Sequence, residues 1–166
     1  IMSKHQSLLD ILVYSMLVPQ YFSFISKKEV AKVPILGWDL KIQKHILIDR
    51  ENPRKALATL NELKDLVAKN RSFLVFPEGT RSADGQIGTF KSGFFKLALE
   101  TGTPIIPAYL NGTNKVIKKK SLLIHPGKIT VNFAPPIFVP KAQTTRIAKS
   151  EILALSEKVR NIILKL

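Results

Sequence analysis

The sequence predicts an α/β fold in which a largely parallel central sheet is flanked by helices. Three observations carry this. Short apolar runs of strand length alternate with longer stretches whose apolar residues recur at helical spacing. Such alternation is the pattern of parallel strands joined by crossover helices. Pro, Gly, Asn and Asp punctuate the joins. And 166 residues, 45% of them apolar, suffice to bury a substantial core in a single domain, 1–166.

Taken in order, Ser7 to Val18 reads as a strongly apolar helix, expected in the core because its Asp10 is needed inside. Tyr21 to Ile25 reads as a short strand and Lys27 to Lys32 as a polar helical turn. Ile46 to Asp49 is a buried strand. Asn52-Pro53 then supplies a helix N-cap and a first-turn proline, and the helix runs to Lys69 with Leu57, Leu60, Leu63 and Val67 near helical spacing. Phe73 to Phe76 is an apolar strand, and Pro77 to Gly88 a loop rich in Gly, Ser, Thr and Asp. Phe90 to Leu99 is a helix ended by Thr101-Gly102. Ile105 to Leu110 is a buried strand, and Leu122 to Ile124 and Ile129 to Phe133 are shorter ones. Arg146 to Leu166 is an amphipathic helix with Ile152, Leu155, Val159, Ile162, Ile163 and Leu166 on one face.

Charge and composition narrow the function. Lysine and arginine number 26 against 12 acidic residues, a net charge of +14 that favours anionic partners. No cysteine is present, which excludes disulfides, thiolate metal sites and cysteine catalysis. The best candidate for a membrane span, Ser7 to Ile25, is interrupted by Asp10, Pro19 and Gln20, whereas a span needs about 20 mostly apolar residues. Few aromatics interleave with the basic residues, so no nucleic acid is expected as a partner.

Two segments carry chemistry. Lys4-His5-Gln6-Ser7-Leu8-Leu9-Asp10 offers an imidazole with a carboxylate five positions on. On a helix that offset separates side chains by about 140°, so the pair meets only if His5 precedes the first turn and folds back. Asp10 then accepts from one ring nitrogen and leaves the other as a general base. Phe76-Pro77-Glu78-Gly79-Thr80-Arg81-Ser82 follows a strand, where α/β sheets commonly place ligands. Gly79 permits close backbone approach, Arg81 can grip a phosphate at two points, and Glu78 can orient Arg81 or accept from a substrate's hydroxyls. Lys91, near a helix start, and Arg50, at a strand end, are further candidate phosphate contacts. Each reads equally as a solvated or loop-organising side chain. His45 and His125 stand alone. Gly88-Thr89-Phe90-Lys91-Ser92 lacks the glycine that a phosphate-binding P-loop places before its lysine. No Gly-x-Ser-x-Gly elbow and no metal-binding cluster of carboxylates are present.

In these segments the chain resembles the glycerolipid acyltransferases, specifically the 1-acylglycerol-3-phosphate (lysophosphatidate) acyltransferases. That family shows four blocks in order. Here they are His5 to Asp10, Ile46-Leu47-Ile48-Asp49-Arg50, Phe76 to Ser82, and Thr103-Pro104-Ile105-Ile106-Pro107-Ala108, with Phe90-Lys91-Ser92-Gly93 between the last two. His-x4-Asp alone is a weak signal; followed by the third block it is specific. Lys4 stands where the family often has Asn, and Lys44-His45 where it often has Gly. The resemblance implies an acyltransferase-like fold and an O-acyltransferase of phospholipid biosynthesis. Its acceptor would be a lysophospholipid, carrying a free sn-2 hydroxyl. Its acyl thioester donor would be acyl-CoA or acyl-carrier protein, a substrate rather than a cofactor. His5 and Asp10 would be catalytic, and Glu78, Gly79, Thr80, Arg81, Lys91 and Arg50 would bind substrate. It also implies association with the anionic membrane surface on the cytoplasmic face, with an N-terminal membrane-associated segment expected upstream of Ile1. Two other readings stand beside it: transfer to another acceptor, such as glycerol 3-phosphate or a different lyso-lipid, and a non-enzymatic basic membrane-binding module.

The charge yields a prediction of its own. The chain should bind anionic vesicles more tightly than neutral ones, and less so as salt rises, because an ionic contact is screened. The C-terminal helix and Lys118 to Lys120 are the candidate contacts. Sedimentation with vesicles across a salt series measures this, and equal binding to neutral vesicles at every salt concentration would refute electrostatic docking.

Overall fold

The chain runs β1 (Met2–Ser3), α1 (Leu9–Leu17), β2 (Phe22–Lys27), a 3₁₀ turn (Lys28–Lys32), β3 (Ile46–Ile48), α2 (Pro53–Ala68), β4 (Ser72–Leu74), α3 (Gly93–Thr101), β5 (Pro107–Asn111), α4 (Thr113–Val116), β6 (Thr130–Phe133) and α5 (Lys149–Lys165). The structure, a computed structural model, describes residues 1–7, 9–19, 22–32, 45–49, 51–82, 86–117, 123–144 and 146–166. Arg50, the Lys118–Lys120 segment and Leu122 lie outside the described residues. Contacts gather the chain into two units, Ile1–Pro19 with Phe76–Leu166, and Gln20–Val75.

In the first unit, β1 runs parallel to β5 with Met2 opposite Pro107 and Ser3 opposite Ala108. β6 pairs antiparallel on the other side of β5, from Ala108–Phe133 to Asn111–Thr130. Two helices close over this sheet. α1 is anchored by Tyr14, fully buried, whose hydroxyl lies 2.6 Å from Ser3 Oγ. Burial pushes the Tyr14 phenol well above its ordinary range, so it stays a neutral donor to β1. α5 packs on β5 and α3 through Ile152, Ser156, Val159 and Ile163. This is the expected face, with Ser156 added.

α1 departs from its expected core placement. Asp10 and Tyr14, four residues apart on one face, are fully buried, while Leu12, Met16 and Leu17 are exposed by 58%, 85% and 56%. The helix is nine residues long and only one stripe of it meets the sheet. Composition reported an apolar helix but not how much of its circumference the fold covers.

In the second unit, β2 is the central strand, parallel to β3 (Ile25 opposite Ile46) and to β4 (Phe22 opposite Ser72). Among the described residues three of the four strand pairings are parallel, which gives the α/β class expected. α2 starts where Asn52-Pro53 predicts, with the Asn52 side chain accepting from Lys55 N at 3.1 Å. It buries Leu63 but leaves Leu57 exposed, against expectation. Lys28 Nζ lies 2.6 Å from Asp49 Oδ2, and this bond holds the Asp49 carboxyl below its ordinary range. No helix among the described residues is long and apolar enough to cross a membrane.

The chain leaves β5 for α4 through Gly112, at φ 93°. A Cβ at this position would lie 2.1 Å from the Lys128 carbonyl oxygen. Gly112→Ala therefore meets both a left-handed backbone and a backbone clash. The conformational term alone is about 1–3 kcal/mol. A melting temperature lower by about 5 °C or more is expected in calorimetry, and an unchanged one would contradict the described turn.

Candidate active site

The site begins with the way α1 starts. The first N–H groups of a helix have no partner within it. Here Asp10, in the first turn, reaches back: its Oδ2 accepts from Gln6 N at 2.6 Å and Ser7 N at 3.0 Å. Ser7 Oγ donates to the Ile117 carbonyl at 3.1 Å. His5 sits one residue further back, outside the helix, and its Nδ1 comes to the same Asp10 oxygen at 2.8 Å. This is the fold-back that a five-residue offset requires. Asp10 Oδ1 takes a third segment, the Thr113 hydroxyl at 2.6 Å.

The partners decide the tautomer. Main-chain N–H groups only donate, so Oδ2 is an acceptor and the proton shared with His5 belongs to Nδ1. In the neutral ring Nε2 then carries the lone pair. Such a group can take a proton from a hydroxyl brought to it.

The Phe76–Ser82 loop holds the same histidine from the other side. His5 N donates to Glu78 Oε1 at 3.0 Å, and Ser82 N donates to the His5 carbonyl at 2.8 Å. The Phe76 ring stacks on the imidazole, centroids 4.2 Å apart and 16° from parallel. The loop folds this way because Pro77 pre-sets a turn closed by Gly79 N to the Phe76 carbonyl at 3.0 Å, with Gly79 at φ 76°. Gly88 N donates to Glu78 Oε2 at 2.8 Å, and Lys91 N to the Pro77 carbonyl at 2.8 Å.

The residues expected from the sequence therefore separate. His5, Asp10 and Glu78 form one hydrogen-bonded cluster, and Gly79 closes the turn that begins at Phe76, whose ring stacks on the imidazole. Glu78 was expected beside Arg81 or a substrate hydroxyl; the structure turns both its oxygens onto main-chain amides and buries it, so it acts as a brace. Arg81 is half-buried and adjoins Ser82, Thr80 is exposed, and Lys91 is exposed just ahead of α3. Arg50 falls outside the described residues. Lys4 is buried under Tyr109, its Nζ 3.4 Å from the phenol oxygen and 4.9 Å from the ring centroid. Sequence reasoning missed Phe76 as the stacking partner and Thr113 as a partner of Asp10. Asn111-Gly112 marks a turn at Thr113, but no spacing rule links that turn to residue 10.

Comparison with known proteins identifies the family. The family model described as Acyltransferase matches residues 1–111. The 1-acyl-sn-glycerol-3-phosphate acyltransferase of Cocos nucifera is 41% identical over 135 residues, covering 81% of this chain and 44% of that protein. The protein of the same name from Escherichia coli K12 is 32% identical over 162 residues, covering 97% of this chain and 63% of its own length. The chain thus spans about half the length of these curated relatives. The crystal structure of the 1-acyl-sn-glycerophosphate acyltransferase PlsC from Thermotoga maritima superposes with a TM-score of 0.80 at 28% identity, covering 99% of this chain and 62% of that one. A family match over residues 1–111 takes in both sides of the histidine's cradle, and the α/β architecture is shared with a solved relative. On these grounds the chain belongs to the acyltransferase family.

Proposed function

We propose that this chain transfers a fatty acyl group from a thioester to the sn-2 hydroxyl of 1-acylglycerol 3-phosphate, giving phosphatidate. The observation that carries the reading is the immobilised His5. Its N–H, its carbonyl, its Nδ1 and one ring face are all engaged by Glu78, Ser82, Asp10 and Phe76, which leaves Nε2 for chemistry. Relatives that cover most of this chain bear the name of that activity.

In this mechanism Nε2 takes the proton of the acceptor hydroxyl as its oxygen attacks the thioester carbonyl carbon. The C–O bond forms and the C–S bond breaks. The departing thiolate then receives the proton from the His5 imidazolium. Asp10 stabilises that imidazolium and holds the ring's orientation. Arg81 seats the acceptor phosphate, with Lys91 and Arg50 as further contacts, and so fixes the hydroxyl near Nε2. Thr80 and Gly79 line the same turn and contact the acceptor. The donor is acyl-CoA or acyl-carrier protein; the thioester chemistry is common to both. Acceptor and product are amphipathic lipids, so the reaction belongs at a membrane surface, and we assign it to the cytoplasmic face. The deciding experiment is thiol release from acyl-CoA against a panel of lyso-lipid and glycerol phosphate acceptors.

His5→Ala is expected to reduce acyl transfer by about 10²–10⁴-fold while the protein stays folded. Asp10→Asn keeps an acceptor oxygen but removes the charge, and its loss should approach that of His5→Ala. Near-normal turnover by a folded His5→Ala protein would sink the mechanism.

Arg81→Ala is expected to lower kcat/KM for the phosphate-bearing acceptor by about 10–100-fold, the scale of one charge-assisted contact, with little effect on the donor. Arg81→Lys should recover only part, because it keeps the charge and loses the two-point fork. An acceptor analogue lacking the phosphate should be used poorly by the parent protein and be little affected by Arg81→Ala. Equal harm to both acceptors would show that Arg81 organises the loop instead.

A further inference from the structure

We infer that Thr113, which lies beyond all four motif blocks, is a positioning residue that completes a His5–Asp10–Thr113 chain; the inference rests on the role proposed for His5. Asp10 is fully buried, and three of its four donors fall on one oxygen: His5 Nδ1, Gln6 N and Ser7 N, all on Oδ2. The other oxygen, Oδ1, is held by Thr113 Oγ1 at 2.6 Å. Without that bond the Oδ1 edge is a buried acceptor with no donor among the described residues, and the carboxylate loses the one hydrogen bond that reaches it there from outside residues 5–7. Rotation of that plane swings Oδ2 off Nδ1. Thr113 is itself fully buried.

The fold is built to deliver this hydroxyl. β1 and β5 are parallel and in register, Ser3 opposite Ala108, so their carboxyl ends lie on the same edge. His5 follows the end of β1 and Thr113 the end of β5. The left-handed Gly112, jammed against the Lys128 carbonyl, turns the chain so that α4 begins with Thr113. Lys115 N and Val116 N both donate back to the Gly112 carbonyl, which holds that first turn in place.

The test uses Thr113→Val, which keeps the side chain's shape without the hydroxyl, and Thr113→Ser, which keeps the hydroxyl. Thermal melts establish folding. Thr113→Val is expected to lose about 10–100-fold in kcat with KM for the acceptor little changed, and Thr113→Ser to restore most of it. A second reading needs no turnover. In protein labelled with ¹⁵N-histidine, the His5 Nδ1–H proton, assigned by its loss in His5→Ala, should resonate far downfield in the parent protein and in Thr113→Ser. In Thr113→Val it should move upfield or broaden through exchange. If the valine variant does not fold, Thr113→Ala gives the same reading with less demand on the pocket. Full kcat in folded Thr113→Val overturns the inference. So does an unchanged Nδ1–H resonance, which decides the matter even if the parent protein proves to have no acyl transfer activity.

Discussion

One buried carboxylate holds the arrangement together. Burying an isolated anion costs several kcal/mol, and Asp10 is tolerated at zero exposure only because four donors converge on it. Those donors come from the lead-in to α1, from His5 and from the first residue of α4. A single side chain thereby caps a helix, selects a tautomer and ties together the ends of two parallel strands. Its location is the carboxyl edge of β1 and β5, the edge at which α/β sheets place their ligands.

A second carboxylate, Glu78, repeats the device on the opposite side of the histidine. It too is buried, and it too takes main-chain amides, from His5 and Gly88. The two acids hold different parts of one residue. Asp10 governs the ring, and Glu78 governs the backbone that carries it. The cations beside them differ in kind. Lys91 is exposed and Arg81 half-buried, on a loop whose main chain is pinned at Phe76, Pro77 and Ser82. The anion seat proposed for these two cations would draw on that rigid main chain, because the loop need not order itself on binding.

Much of this was legible in the sequence where a local rule operates. Asn52-Pro53 located the start of α2 because capping is a three-residue affair. His-x4-Asp could be read as a folded-back pair because the 3.6-residue period forbids the alternative. Where partners are distant, the sequence was silent. β1 is two residues long, too short for any periodicity, and exists because β5 pairs with it. Residues 90–92 carry a helical pattern, yet α3 begins at Gly93, and Lys91 N donates instead to the distant Pro77 carbonyl. Asn111-Gly112 announced a turn at Thr113, but nothing local tied that turn to residue 10. The exposed stripe of α1 was hidden for another reason: hydrophobicity states what a residue favours, not how much neighbouring surface is there to cover it.

The separation of Asp10 from Thr113 by 103 positions has a consequence for how the protein is made. A ribosome adding about 5–20 residues per second delivers the threonine about 5–20 s after the aspartate. Through that interval Ile1–Pro19 has neither its strand partner nor the last donor for the carboxylate, while Gln20–Val75 can already form contacts within its own unit. A segment made before its neighbours is therefore among the last to settle. That apolar stretch, its acid held by water until the threonine is made, completes its contacts only after a distant part of the chain has emerged.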